Sequence, residues 1–174
     1  MFLRNPYLKS SIKGAGIFIS WIPVVLVIDK YFYSVSSVSG SSMQPALNPF
    51  LTRKDWIFVN KLSLNDLNNI KVDDVLLIRS PTNPSKIVIK RVKGVQGDVI
   101  RTRYPYLRNR CTIPKNHLWL EGDNIRSIDS NTYGPVSTGL VIGRAEKIIY
   151  PFDRFGDIPQ GGREARLSKL RAIG

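Results

Sequence analysis

An antiparallel β domain behind one N-terminal transmembrane helix is the fold class the sequence predicts. Three observations lead there. A single apolar run, GAGIFISWIPVVLVI over residues 14–28, carries no charge. After it, short runs rich in Val, Ile and aromatics alternate with turns bearing Pro, Gly and Asn. Beyond the apolar run, no helical period is sustained. The 174 residues, 43% hydrophobic and 22% charged, suit one globular domain with a real core.

The elements follow in order. Residues 1–13 form a basic segment, with Arg4, Lys9 and Lys13 and no acidic residue before Asp29. The apolar run is about 15 residues, short of the ~20 that a full span takes. Lys13 and Lys30 can snorkel, and Tyr31, Phe32 and Tyr33 can sit at the interface, so the predicted anchor covers residues 14–30. Pro23 would kink it. The positive-inside rule holds the N-terminus back and sends the rest of the chain across. A buried core helix is one alternative, and a signal peptide cut near SVSSVSG is another.

A β domain is predicted over residues 31–153. Its strands read as WIFVNKL (56–62), VLLIRS (75–80), KIVIKRVKG (86–94), DVIRTRY (98–104), HLWLEG (117–122) and GLVIGRAEKIIY (139–150). SPTNPS, VQGD, YPYLRNR and SNTYGP read as turns or loops. SLNDLNNIKVDD, residues 63–74, has room for a short helical turn. Residues 154–174 read as a basic tail whose EARLSKLRAI has weak helical spacing.

Composition narrows the chemistry. The net charge of +13 admits nucleic acid, an anionic membrane surface or an acidic partner. The basic residues are spread along the chain, with no block that reads as a nucleic-acid tail. Trp56, Trp119 and Tyr104 are the aromatics a nucleic-acid reading would need for stacking, although aromatics on strands are more often core. The single cysteine, Cys111, cannot form an intramolecular disulfide. A Ser-His-Asp triad could be built only around the single histidine, His117, and a Cys/His metal site lacks ligands. No metal or cofactor is expected, and His117 is assigned to a surface near its strand.

The stretch GSSMQP, residues 40–45, is by composition a loop between anchor and domain. For a serine there to act as nucleophile, a base other than histidine is needed. A lysine amine serves if burial keeps it neutral, since burial disfavours the ammonium form. Lys90 is the candidate. Strand alternation puts Val88, Lys90 and Val92 on one face, and Ile87, Ile89 and Arg91 on the other. The plainer reading is a lysine snorkelling from an edge strand.

These segments resemble type I signal peptidases. GSSMQPAL is similar to their nucleophile box, KRVKGVQGD to their general-base box, and EGDNIRSIDSNTYG to a third box of the form G-D-N then S-x-D-S. The three stand in family order over residues 40–145. The resemblance implies a barrel-like antiparallel sheet and a Ser-Lys dyad, with Ser42 as nucleophile and Lys90 as general base. It implies that Ser127 orients the lysine, that Asp129 and Gly122 hold the geometry, and that Met43, Leu47 and Ile89 line the substrate pocket.

Gln44, Asn48-Pro49 and SIDSNTYGPVSTGLVIG resemble the mitochondrial inner membrane branch of that family. This implies presequence-bearing protein substrates, a heterodimer with a paralogous subunit, contact with inner membrane lipid and no nucleic acid. It also implies a single-pass protein whose catalytic domain faces the intermembrane space. Two departures stand out. Only Ile125 and Arg126 separate G-D-N from S-I-D-S, and Gly40 sits where some bacterial members place an oxyanion-hole serine. A supporting subunit without catalysis, or a basic β-barrel for nucleic acid, are the rival classes.

Overall fold

The computed structural model describes residues 20–50, 52–62, 69–160 and 162. A helix, α1, covers residues 20–31 and is exposed along its described length. It leads into β1 (Tyr33–Ser37), followed by β2 (Trp56–Asn60), β3 (Val75–Arg79), β4 (Ile87–Gly94), β5 (Val99–Arg101), β6 (Arg110–Thr112) and β7 (His117–Glu121). A single-turn helix, α2 (Ser130–Tyr133), comes next, then β8 (Val136–Ser137), β9 (Val141–Tyr150) and β10 (Gly156–Asp157). Among the described residues, no helix is long and apolar enough to cross a membrane. Residues 1–19, which hold the basic segment and the first part of the predicted anchor, lie outside them.

The main sheet runs β1-β2-β9-β3-β4-β7-β8, with β10 on β9, and its pairings are antiparallel. β3 lies near its centre, and this is why VLLI reads as an unbroken apolar run: all four residues are buried. Its side chains alternate between two cores. Val75 and Leu77 join Val38, Met43, Leu47, Ile57, Val59, Ala145, Ile148 and Ile158. Leu76 and Ile78 join Ile70, Val92, Leu118, Leu120 and Val136. Register shifts interrupt the ladder where β9 meets β2 and β3. β5 and β6 form a separate hairpin.

Six predicted strands are found within a few residues of their expected ends. Four further strands were not expected. β1 lies in the stretch read as interface and linker, β6 begins at the last residue of YPYLRNR, and α2 occupies the first four residues of SNTYGP, with β8 directly after it. β10 corrects the domain boundary. Gly156 and Asp157 pair with Ile148 and Lys147, and Ile158 is buried, so the start of the predicted tail belongs to the sheet. Most of residues 63–74 and the helical spacing at 164–173 fall outside the described residues.

Candidate active site

β4 supplies the central side chain. Leu76 of β3 is paired with Lys90, so the lysine faces the core that holds Val92 and Val88. The alternation expected from sequence is therefore the one observed. Lys90 is only 3% exposed, and its Nζ donates to Ser127 Oγ at 2.5 Å. A snorkelling lysine would have its amine in water, and this one does not.

Ser42 reaches the same place by a different route. Its loop leaves β1, and Gly40 takes φ +90°, a region that side-chain-bearing residues rarely adopt. This gives a physical reason for glycine two positions before Ser42. Met43 and Leu47 anchor the loop in the first core, at 2% and 0% exposure. Asn48 clamps it further: its side chain donates to Val38 O at 2.8 Å and accepts from Asp55 N at 2.7 Å. Asn48 N in turn donates to Asp55 Oδ2. Arg154 closes the network, 3.1 Å from the Asp55 carboxylate and donating to Ala46 O at 2.7 Å.

The loop of residues 122–129 binds the two halves together. Asn124 N donates to Ser42 O at 3.0 Å, and Asn124 Nδ2 donates to Ser41 O at 2.9 Å. Ser127 N donates to Asn124 O, so one asparagine links the nucleophile loop to the residue holding the lysine. A Cβ on Gly122 would lie 2.1 Å from Ser127 Oγ and 2.5 Å from Ser42 O, a space only glycine leaves open. Asp129 caps α2 by accepting from Asn131 N, and it also accepts from Gly122 N at 3.3 Å, which pins both ends of the loop. Ser130 Oγ accepts from Leu120 N, and Asn131 Nδ2 donates to Glu121. Asn131 is neutral, and Arg103 Nη1 lies 3.7 Å from the Glu121 carboxylate.

Ser42, Lys90 and Ser127 line one cleft of about 380 Å³, together with Gly40, Ser41, Ser80, Thr82, Lys86, Val88, Asn124, Arg126, Ile128 and Tyr133. Met43 and Leu47 are not in that lining, and neither is Ile89. All three pack in the first core, because β4 alternation and the loop anchoring turn them away from the cleft. Apolar contact inside the cleft comes instead from Val88, Ile128 and the ring of Tyr133. Burial pushes the Tyr133 phenol up, and the nearby Asp129 carboxylate adds to that. His117 sits away from this cleft, its Nδ1 bonded to Lys115 O. Trp119 is fully buried and cannot stack on a base.

Sequence reasoning missed Asn124, although it stood inside a quoted motif. It also missed the Arg91–Asp123 pair, which joins the lysine strand to the third box: Nε and Nη2 reach the two carboxylate oxygens at 2.9 and 2.8 Å. Adjacent basic and acidic residues within two separate boxes were the available signal.

A family model described as signal peptidase, peptidase S26, matches residues 11–108, which include Ser42 and Lys90. A Saccharomyces cerevisiae relative named mitochondrial inner membrane protease subunit 2 is 44% identical over 151 residues, 85% of each chain. A subunit 2 from Schizosaccharomyces pombe is 38% identical over 92% of this chain and 89% of that one. A mouse protein named mitochondrial inner membrane protease subunit 1 is 35% identical over 90% of this chain and 95% of that one. A signal peptidase I crystal structure from Enterococcus faecalis aligns at TM-score 0.37 and 22% identity over 43% of this chain and 95% of that one, a likeness too slight to add to these. With a family match over more than half its length and such relatives over most of it, the chain belongs to the signal peptidase family, peptidase S26, and is a serine peptidase of signal peptidase type.

Proposed function

We propose that the chain is an inner membrane endopeptidase that removes sorting presequences from proteins delivered to the mitochondrial intermembrane space, using Ser42 and Lys90 as a dyad. The observation that carries this reading is the buried Lys90 amine, bonded to Ser127 Oγ on the wall of a cleft that Ser42 also lines. Lys90, neutral, takes the Ser42 hydroxyl proton as Oγ attacks the scissile carbonyl. The resulting ammonium protonates the leaving amine. The lysine then deprotonates the water that clears the acyl-enzyme. Ser127 orients the amine, Asp129 and Gly122 keep the loop in place, and the Ser42 backbone N–H faces the developing oxyanion.

The substrate lies extended beside residues 87–90 of β4. That stretch pairs with β3 on one side, while β7 pairs only with Arg91, Val92 and Gly94, so among the described strands the edge at 87–90 is open. Residues 14–30 anchor the chain in the inner membrane, with the β domain in the intermembrane space. A paralogous subunit 1 is its heterodimer partner; relatives of both names match this chain.

The test is mass spectrometry of a presequence peptide incubated in lipid with wild type, Ser42→Ala and Ser41→Ala. Cleavage is expected to be lost in Ser42→Ala and kept in Ser41→Ala, and the reverse outcome would assign the nucleophile to Ser41. The rate is expected to rise with pH as Lys90 loses its proton, with an apparent pKa well under the ordinary lysine value of about 10.4. Control only near 10 would remove the lysine base.

A further inference from the structure

The cleft has an uneven charge. Lys86 and Arg126 both line it, one at the start of β4 and one on the loop after Gly122, and both are exposed. Neither side chain has an ion-pair partner among the described residues. Among the described residues, none that lines the cleft carries a carboxylate. The carboxylates nearest in sequence are turned elsewhere: Asp123 is held by Arg91, Asp129 by Gly122 N and Asn131, and Glu121 by Trp119 and Asn131. A bound peptide therefore meets two solvent-facing cations and no opposing anion.

We propose that Lys86 and Arg126 form a cationic rim that selects peptide substrates bearing a carboxylate side chain within a few residues of the scissile bond. This rests on the cleft being the peptidase site. The two cations stand on separate elements that border the same cleft, so an extended peptide passing Ser42 runs close to both. An exposed ion pair adds ~0.2 to 1 kcal/mol, which is roughly a 1.4- to 5-fold preference for each contact. Salt screens it, because the Debye length falls from about 10 Å at 0.1 M to about 3 Å at 1 M. A lysine at the same peptide position is disfavoured by like-charge repulsion.

The full chain is reconstituted in zwitterionic phosphatidylcholine vesicles, so that lipid charge does not compete. It is given extended peptides that differ only by Glu, Gln or Lys at each position flanking one cut. Wild type is expected to show kcat/KM three- to ten-fold higher for Glu than for Gln at the responsive position, falling toward parity in 0.5 M salt. Lys86→Gln with Arg126→Gln should bring the Glu/Gln ratio near one, whatever the absolute rate of that variant. A wild-type ratio of one, or a ratio kept in the double variant, overturns the rim. Failure of wild type to cut any peptide, or cutting that survives Ser42→Ala, overturns the peptidase site itself and is distinguished by those controls.

Discussion

Lys90 and Arg91 are neighbours on one strand, both buried, at 3% and 1% exposure, and they face opposite sides of the sheet. Arg91 meets a carboxylate through two hydrogen bonds and two backbone carbonyls, those of Asp73 and Pro159. Lys90 meets the Ser127 hydroxyl beside a cleft lined by no carboxylate. Both positions bury a basic side chain, yet their partners differ in kind. A guanidinium locked to a carboxylate stays charged and ties elements together. An amine held by a hydroxyl can give up its proton where burial disfavours the ammonium form.

The largest effect that can break this comparison is at Lys90. Lys90→Met should lower kcat by ~10² to 10⁴-fold, the range of a lost general base, while leaving the melting temperature equal or higher. Lys90→Arg should be as inactive, since arginine keeps its proton. Turnover in either variant, followed by peptide mass spectrometry, would make the lysine a structural residue like its neighbour.

Arg91→Met tests the other side. It leaves Asp123 buried at 2% exposure without its cation, and a broken buried pair costs ~3 to 5 kcal/mol. Urea unfolding should show that loss, and adding Asp123→Asn should recover part of it by removing the stranded charge. Equal stability of Arg91→Met and wild type would mean the pair does not hold the lysine strand to the third box. Gly122→Ala comes next. Its Cβ would collide with Ser127 Oγ and Ser42 O, so the two halves of the dyad support must separate. A cost of ~1 to 3 kcal/mol in stability is expected, with kcat falling about 100-fold as the reacting groups move apart. Normal kcat in that variant would show that the loop can shift without consequence.

The contrast between the two faces of β4 was legible in sequence, because a two-residue period is enough to separate Val88, Lys90 and Val92 from Ile87, Ile89 and Arg91. That Arg91 would be as buried as Lys90 was not, since an ion pair 32 residues apart leaves no local pattern. Ser42, Lys90 and Ser127 were singled out through motifs and line one cleft, while Asp129 and Gly122, singled out the same way, lie in the loop behind it. Met43, Leu47 and Ile89 were assigned to a pocket because they flank the dyad in sequence. Alternation and loop anchoring put them in the core instead. Asn124 escaped because its partners are backbone groups of Ser41, Ser42, Arg126 and Ser127, which any residue type possesses. β8 and β10 escaped for a simpler reason: two-residue strands exist only by pairing with distant partners. β1 was hidden because Tyr33, at its start, read as the end of an interfacial belt and the SVSS after it as linker.

Tyr133 sharpens the comparison by removing the partner altogether. Its ring lines the Lys90 cleft, and its hydroxyl is buried with no hydrogen-bond partner among the described residues. Burial and Asp129 hold its pKa above the ordinary value. An unsatisfied buried hydroxyl carries a desolvation cost, so Tyr133→Phe should stabilise the fold by about 1 kcal/mol at neutral pH. The sign of the pH effect follows from the raised value. Below pH 10 both folded and unfolded chains keep the phenol proton, and Tyr133 adds no pH dependence. Above about pH 10 the unfolded chain loses the proton while the folded chain keeps it, so stability falls with rising pH by up to ~1.4 kcal/mol per unit. Phenylalanine lacks that loss, and the variant's advantage in urea unfolding should widen between pH 9 and pH 11. An advantage that stays flat across that range, or a variant less stable than wild type at neutral pH, would mean the hydroxyl has a partner in solution. Tyr133 would then stand with Arg91, as a buried polar group held by its contacts.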